Sequence, residues 1–237
     1  MRGPRLGAGS PLSETLHRNP AGSLQAPRPH LAADFGRRRI GLLGGSFNPA
    51  HGGHRHISLI ALKRLNLQEI WWLVSPQNPL KPRAGMAPFA ERFRSAVAAA
   101  RHPRIKVSDL EVRLGTRYTA DTIALLKRRF PRLKFVWLMG ADNLRQISGW
   151  QHWPKIFTEL SIAVFDRPTY SSKALAGKAA RRFWRFRVRS RQAKRIAELE
   201  PPAWVFLHIP LHRASASAIR AARGVRPREP KERRAQP

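Results

Sequence analysis

Gly44-Gly45-Ser46-Phe47-Asn48-Pro49-Ala50-His51-Gly52-Gly53-His54 is the stretch that decides the fold. The run before it, Ile40-Gly41-Leu42-Leu43-Gly44, is short and apolar and predicts a buried strand. After it, residues 53–65 place Ile57, Ile60, Ala61 and Leu65 at helical spacing. The stretch is therefore a loop between a strand and a helix. In a parallel sheet, such loops lie beyond the carboxyl ends of the strands, where ligands bind. Glycines let backbone approach a phosphate closely, and a helix N-terminus offers free N–H groups and a positive dipole end. His51 and His54 fall in the loop and the first turn, where both can contact one phosphate. Taken singly, the parts have plainer readings. A glycine pair after a strand is common, and two histidines three apart suit a surface or a metal. No third and fourth metal ligand lies nearby in sequence. There is no Gly-Lys-Ser/Thr at the spacing of a Walker A loop.

Outward from this loop, strands and helices alternate. Strands are predicted at 69–75 (EIWWLVS), 134–139 (KFVWLM), 160–165 and 204–209 (WVFLHI), with one or two short ones within 104–112. Helices are predicted at 88–100, 119–130, most of 173–199, and 215–222. This alternation implies an α/β fold, a parallel sheet with helices on both faces. One domain over 37–223 has enough chain for a full hydrophobic core. Residues 1–36 are rich in Pro, Gly, Ser and Arg and 224–237 in Pro and Arg, and both are expected to be disordered basic extensions.

The net charge is +31, from 45 basic and 14 acidic residues among 237. A surplus of this size raises the question of polynucleotides or anionic membranes, yet it attracts nucleotide phosphates equally well. Residues 173–195 hold ten basic side chains and no acidic one, interleaved with Phe183, Trp184 and Phe186. That interleaving allows stacking combined with phosphate contact, a second activity set against a solvated helix packing its aromatic face on the domain. No nucleic-acid motif accompanies it, so a polynucleotide is not expected as the main partner. The absence of cysteine excludes disulfides, thiolate catalysis and cysteine-ligated zinc, and suits a cytoplasmic location. No apolar run reaches membrane-spanning length, and neither a secretory signal nor a membrane partner is expected.

Five more segments carry chemistry. Gly140-Ala141-Asp142-Asn143-Leu144, then Trp150 and Trp153, follow the strand at 134–139 directly. Arg117-Tyr118-Thr119-Ala120-Asp121-Thr122 opens a helix that Thr119 can cap. Ser75-Pro76-Gln77-Asn78-Pro79-Leu80-Lys81 leaves the second strand, and Phe165-Asp166-Arg167-Pro168 ends another. Ala214-Ser215-Ala216-Ser217-Ala218-Ile219-Arg220 opens the last helix with two hydroxyls and an arginine fork one turn in. An ordinary capped helix with a surface arginine has the same look, and Trp150 also suits a core.

The string Gly-Gly-Ser-Phe-Asn-Pro-x-His-x-Gly-His resembles the signature of the HxGH nucleotidyltransferases, and within them the bacterial nicotinate-nucleotide adenylyltransferases. The likeness runs in order from Arg39 to Arg223. It departs from the family pattern at Ser46, Asn48, Leu80 and Ala216, where many relatives have threonine, aspartate, histidine and serine. The resemblance implies a Rossmann-like nucleotidyltransferase fold and transfer of AMP from ATP to nicotinate mononucleotide, with release of pyrophosphate. It implies catalytic roles for His51, His54 and Arg220. ATP would be held by Gly44, Gly45, Ser46, Phe47, Gly140, Asp142, Ser215 and Ser217. Nicotinate mononucleotide would be held by Asn48, Lys81, Tyr118, Thr119, Trp150 and Arg167. Mg²⁺ would accompany ATP with few protein ligands, and a homo-oligomer is compatible. Phosphopantetheine adenylyltransferase shares the first and last motifs, but Trp150 and Tyr118-Thr119 fit a pyridine acceptor better. Nicotinamide mononucleotide stays open as the acceptor.

Overall fold

The computed structural model describes residues 38–76, 85–167, 169–210, 212, 214 and 216–222, the last group without the side chain of Ser217. The expected basic extensions, Lys81 and Ser215 lie outside the described residues.

Seven parallel strands form one sheet in the order β3-β2-β1-β4-β5-β7-β6. They are β1 (Arg39–Gly45), β2 (Glu69–Val74), β3 (Ile105–Ser108), β4 (Lys134–Gly140), β5 (Ser161–Phe165), β6 (Arg187–Val188) and β7 (Trp204–Leu207). The helices are α1 (Gly52–Arg64), α2 (Phe89–Ala100), α3 (Leu110–Arg113), α4 (Thr119–Arg129), α5 (Ala141–Gln146), α6 (Trp153–Glu159), α7 (Ser171–Leu175), α8 (Lys178–Arg182) and α9 (Ala216–Ala222). The central strands are nearly continuous apolar runs because helices cover both of their faces.

Strand alternation divides the core in two. Ile40, Leu42, Trp71, Leu73, Trp137 and Met139 face one layer, with α4, α5 and α6. Leu43, Ile70, Trp72, Val74, Val136 and Leu138 face the other, with α1 and α2. Gly44 is required by packing, since a Cβ there would stand 2.5 Å from the Trp137 ring. The order reverses between β1 and β4, whose carboxyl ends are neighbours. That reversal opens the crevice in which a doubly wound sheet binds its ligand.

One expectation of the chain's local structure needs correction. Residues 173–199 are not mostly one helix. Gly177 ends the first short helix and caps α8, and Arg187–Val188 pairs with β7 as an edge strand. Ser190–Glu198 then forms a 3-10 helix with Ala193, Ile196 and Ala197 buried. The basic-aromatic pattern hid both breaks, because only pairing with β7 fixes residues 187–188 as extended. Within 104–112 there is one strand, and the remainder begins α3.

Candidate active site

His51 is the N-cap of α1. Its Nδ1 accepts a hydrogen bond from the Gly53 N–H at 3.1 Å. Three residues on, His54 Nδ1 accepts from the His51 N–H at 3.2 Å. The two imidazoles thus form a reciprocal capping box of the kind usually built from Ser/Thr and Glu. In their neutral forms both rings then carry the proton on Nε2, so each presents one N–H donor. Gly53 makes this possible, because a Cβ there would stand 2.9 Å from the His51 ring. The glycine clears space for an imidazole as well as leaving backbone accessible. Burial, the charge of Arg167 and the charge of His212 lower the His51 pKa to about 4. His51 is therefore a neutral donor at pH 7.

His54 is held from behind by aromatics. Its ring lies 4.8 Å from Phe47 and 5.9 Å from Trp72, and Phe47 stacks on Trp72 at 5.1 Å. Trp72 Nε1 donates to Ser58 Oγ, which donates to the His54 carbonyl. Phe47 is 2% exposed, so its side chain packs and only its backbone is left for a nucleotide. It holds φ at 45°, a left-handed value that costs energy in a residue with a Cβ. The surrounding packing imposes that turn.

Asn48 is used within the protein. Its Nδ2 donates to the Gly85 carbonyl at 2.9 Å, and its Oδ1 accepts from the Ala87 N–H at 3.2 Å. Its backbone carbonyl accepts from Arg220 Nη1 at 2.6 Å. The last helix is therefore tied to the first loop. His212 and Ala214, just before α9, close over the start of α1: a Cβ on Gly52 would meet the His212 ring at 3.0 Å, and one on Gly53 the Ala214 carbonyl at 3.2 Å.

At the neighbouring strand ends, Arg167 Nη1 pairs with Asp142 Oδ2 at 2.5 Å, joining the exit of β5 to the first turn of α5. Gly140 lies beneath this pair, with a would-be Cβ 3.6 Å from the Arg167 side chain. Histidine, carboxylate and guanidinium groups from β1, β4 and β5 thus converge on one edge of the sheet. Tyr118 proves to be the N-cap of α4 and Thr119 its first helical residue, in place of the expected Thr119 cap. Tyr118 is partly open to solvent, and Trp150 packs partly on the first core. The described residues place Gly44, Gly45 and Ser46 at the exit of β1 and Arg220 on α9.

Two buried charged residues escaped the sequence reading. Arg92, on α2, is 2% exposed. Its guanidinium donates to the carbonyls of Ala87, Ser46, Ser75 and Pro76 at 2.7–2.9 Å. One side chain therefore ties the first loop to the exit of β2. An arginine on the buried face of an amphipathic helix was the available signal. Glu111, on α3, is also buried, and burial raises its pKa to about 7 against hydrogen bonds from Thr122 and Ser75. Its place among short predicted strands gave no sign of burial.

The chain matches the family model described as cytidylyltransferase-like over residues 42–222. It is 56% identical over 169 residues to a Bradyrhizobium (strain ORS 278) protein named "Probable nicotinate-nucleotide adenylyltransferase", covering 71% of this chain and 88% of that one. A Cereibacter sphaeroides (strain ATCC 17025) protein of the same name is 50% identical over 182 residues, covering 77% and 96%. The fold is similar to that of Plasmodium falciparum nicotinic acid mononucleotide adenylyltransferase complexed with NaAD, with a TM-score of 0.56, 19% identity and coverage of 78% of this chain and 83% of that one. With a strand-loop-helix that brings His51 and His54 together beyond the carboxyl end of β1, and relatives of this identity over most of their length, the chain belongs to the nicotinate-nucleotide adenylyltransferase family.

Proposed function

We propose that this enzyme joins the AMP part of ATP to nicotinate mononucleotide, giving nicotinate adenine dinucleotide and pyrophosphate. The observation that carries the proposal is the paired Nε2–H donors of His51 and His54 at the N-terminus of α1, an anion site at the sheet's switch point. The acceptor comes from the names of the relatives and from the aromatic and hydroxyl groups of Trp150, Tyr118 and Thr119.

A phosphate oxygen of the acceptor, already ionised near neutral pH, attacks the α-phosphorus in line. The new P–O bond forms as the bond from the α-phosphorus to the bridging oxygen breaks, and pyrophosphate leaves with its electrons. No protein base or nucleophile is needed, so positioning and charge stabilisation do the work. His51 and His54 donate to phosphate oxygens, where charge grows. Arg220, Ser215 and Ser217 hold the β- and γ-phosphates, and Lys81 serves the acceptor. Gly44, Gly45, Ser46 and the backbone of Phe47 line the nucleotide with Gly140 and Asp142. Arg167 faces the acceptor while held by Asp142, and Asn48 acts by bracing the loop.

Among the described residues no group of three or more His, Asp or Glu could hold a metal by itself. Asp142 Oδ1 is buried without a hydrogen-bond partner among them, which fits one carboxylate ligand to an ion carried mainly by the substrate. Mg²⁺, when bound, neutralises phosphate oxygens. Among the described residues no helix is long and apolar enough to cross a membrane, and we place the reaction in the cytoplasm.

Pyrophosphate release from ATP and Mg²⁺ should be measured with nicotinate mononucleotide, nicotinamide mononucleotide and phosphopantetheine as separate acceptors. A clear preference for the first is expected. A preference for either of the others would overturn the acceptor and keep the scaffold.

A further inference from the structure

Toward the amino end of β7, a cavity of about 400 Å³ opens beside the edge strand β6. It lies at the start of β7, where Arg187 pairs with Trp204, the opposite end of that strand from His208 and Asp166. Its walls include Arg181, Trp184, Arg187 and Trp204. The volume is in the range of small-ligand sites. We propose that this cavity binds a nucleotide unit, a flat base with an adjoining phosphate, independently of the catalytic site.

Three observations converge. Trp184 is 65% exposed, and Phe186 beside it is 43% exposed. An indole left so open in a chain that buries Trp72, Trp137 and Trp204 almost fully has a face to offer to a base. Arg185 stands 5.5 Å from the centre of the Trp184 ring, so a cation lies beside this exposed indole. Second, the ion pairs among the described residues use Arg38, Arg39, Arg113, Lys127, Arg167 and His208. None involves Arg181, Arg185 or Arg187, so these guanidiniums keep their charge for an outside anion. Third, Arg187 is held in place at 5.4 Å over the Trp204 ring and 5.7 Å over Phe206, so one cation is fixed beside the cavity before any ligand arrives.

A second copy of this chain is a poor occupant. It would bring a strongly basic segment against another, with no acidic residue in 173–195 to oppose it. A phosphate supplies the missing charge and a base fills the aromatic wall. Either a free nucleotide or one unit of a single strand provides both.

The test uses the full chain and a fluorescein-labelled oligothymidylate of about a dozen nucleotides, read by anisotropy at low salt. Uridine monophosphate is the competitor. Binding is expected to weaken about fivefold to a hundredfold in Trp184→Ala, the effect of losing one stacked base, and to return largely in Trp184→Phe. Arg181→Gln should weaken it and flatten its salt dependence. Adenylyl transfer should be unchanged in Trp184→Ala, and His54→Ala should bind the oligonucleotide as the wild type does. Displacement by uridine monophosphate supports the site with a free nucleotide as its ligand, and binding of the oligonucleotide alone supports it with a strand. Equal affinity of wild type, Trp184→Ala and Arg181→Gln would overturn the proposal by assigning binding to bulk charge, and so would failure of both probes to bind.

Discussion

Arg220 reaches across 172 residues of sequence to place its Nη1 2.6 Å from the carbonyl oxygen of Asn48. The last helix of the domain is thereby fixed to the loop that opens the first. The bond is a charge-assisted one, shorter and stronger than a neutral amide pair. It sets the guanidinium at the mouth of the crevice before nucleotide arrives.

Arg220→Gln is expected to lower kcat by about a hundredfold, the usual loss of one donor to developing phosphate charge. Circular dichroism should show a folded protein. A kcat within ~threefold of wild type would mean that Arg220 only braces the loop.

His54→Ala should lower kcat by about a hundredfold or more, a larger effect than that on the urea midpoint, where it removes the bond from the His51 N–H. His51→Ala should lower both. It removes the proposed phosphate donor and the N-cap of α1, and the cap alone is worth about 1 kcal/mol. Near-wild-type turnover in His54→Ala would remove it from the catalytic set.

Replacing Arg92 attacks stability first. Arg92→Met leaves four carbonyls without their donor, and a cost of about 3 kcal/mol or more is expected in urea unfolding. Arg92→Lys should recover part of it, since an ammonium cannot span the same fork. Because Ser46 and Ser75 are both released, the KM for ATP should rise in whatever variant folds.

Glu111 makes stability depend on pH. Burial lifts its pKa from 4.5 to about 7, so the folded state holds a proton that the unfolded state gives up earlier. Its contribution is complete below pH 4.5 and is lost as the pH rises through about 7, by at most about 3 kcal/mol. Glu111→Gln stays neutral and should exceed wild type in stability above pH 7, while matching it near pH 4. Thermal unfolding at the two pH values decides this. His51 has the opposite sign: its lowered pKa removes stability as the pH falls from 6.5 toward 4.

The elements read from sequence were those whose pattern is local. The apolar runs at 40–44 and 134–139 became β1 and β4, and the helical spacing of Ile57, Ile60, Ala61 and Leu65 became α1. Residues 173–199 misled because the two-residue strand Arg187–Val188 exists only through its bonds to β7.

Sequence by itself determined the α/β alternation, the loop between β1 and α1, and the chemical types available there, because periodicity and glycine placement act over a few residues. Tertiary structure alone decided how those types are used. It turned Nδ1 of both histidines toward backbone, leaving Nε2–H as the donor. It spent the side chains of Phe47 and Asn48 on packing and bracing. It buried Arg92 among four carbonyls drawn from three segments, and Glu111 beside Thr122. The physical reason is that burial and hydrogen-bond partners are properties of neighbours brought together by the fold, and no local pattern in the chain encodes them.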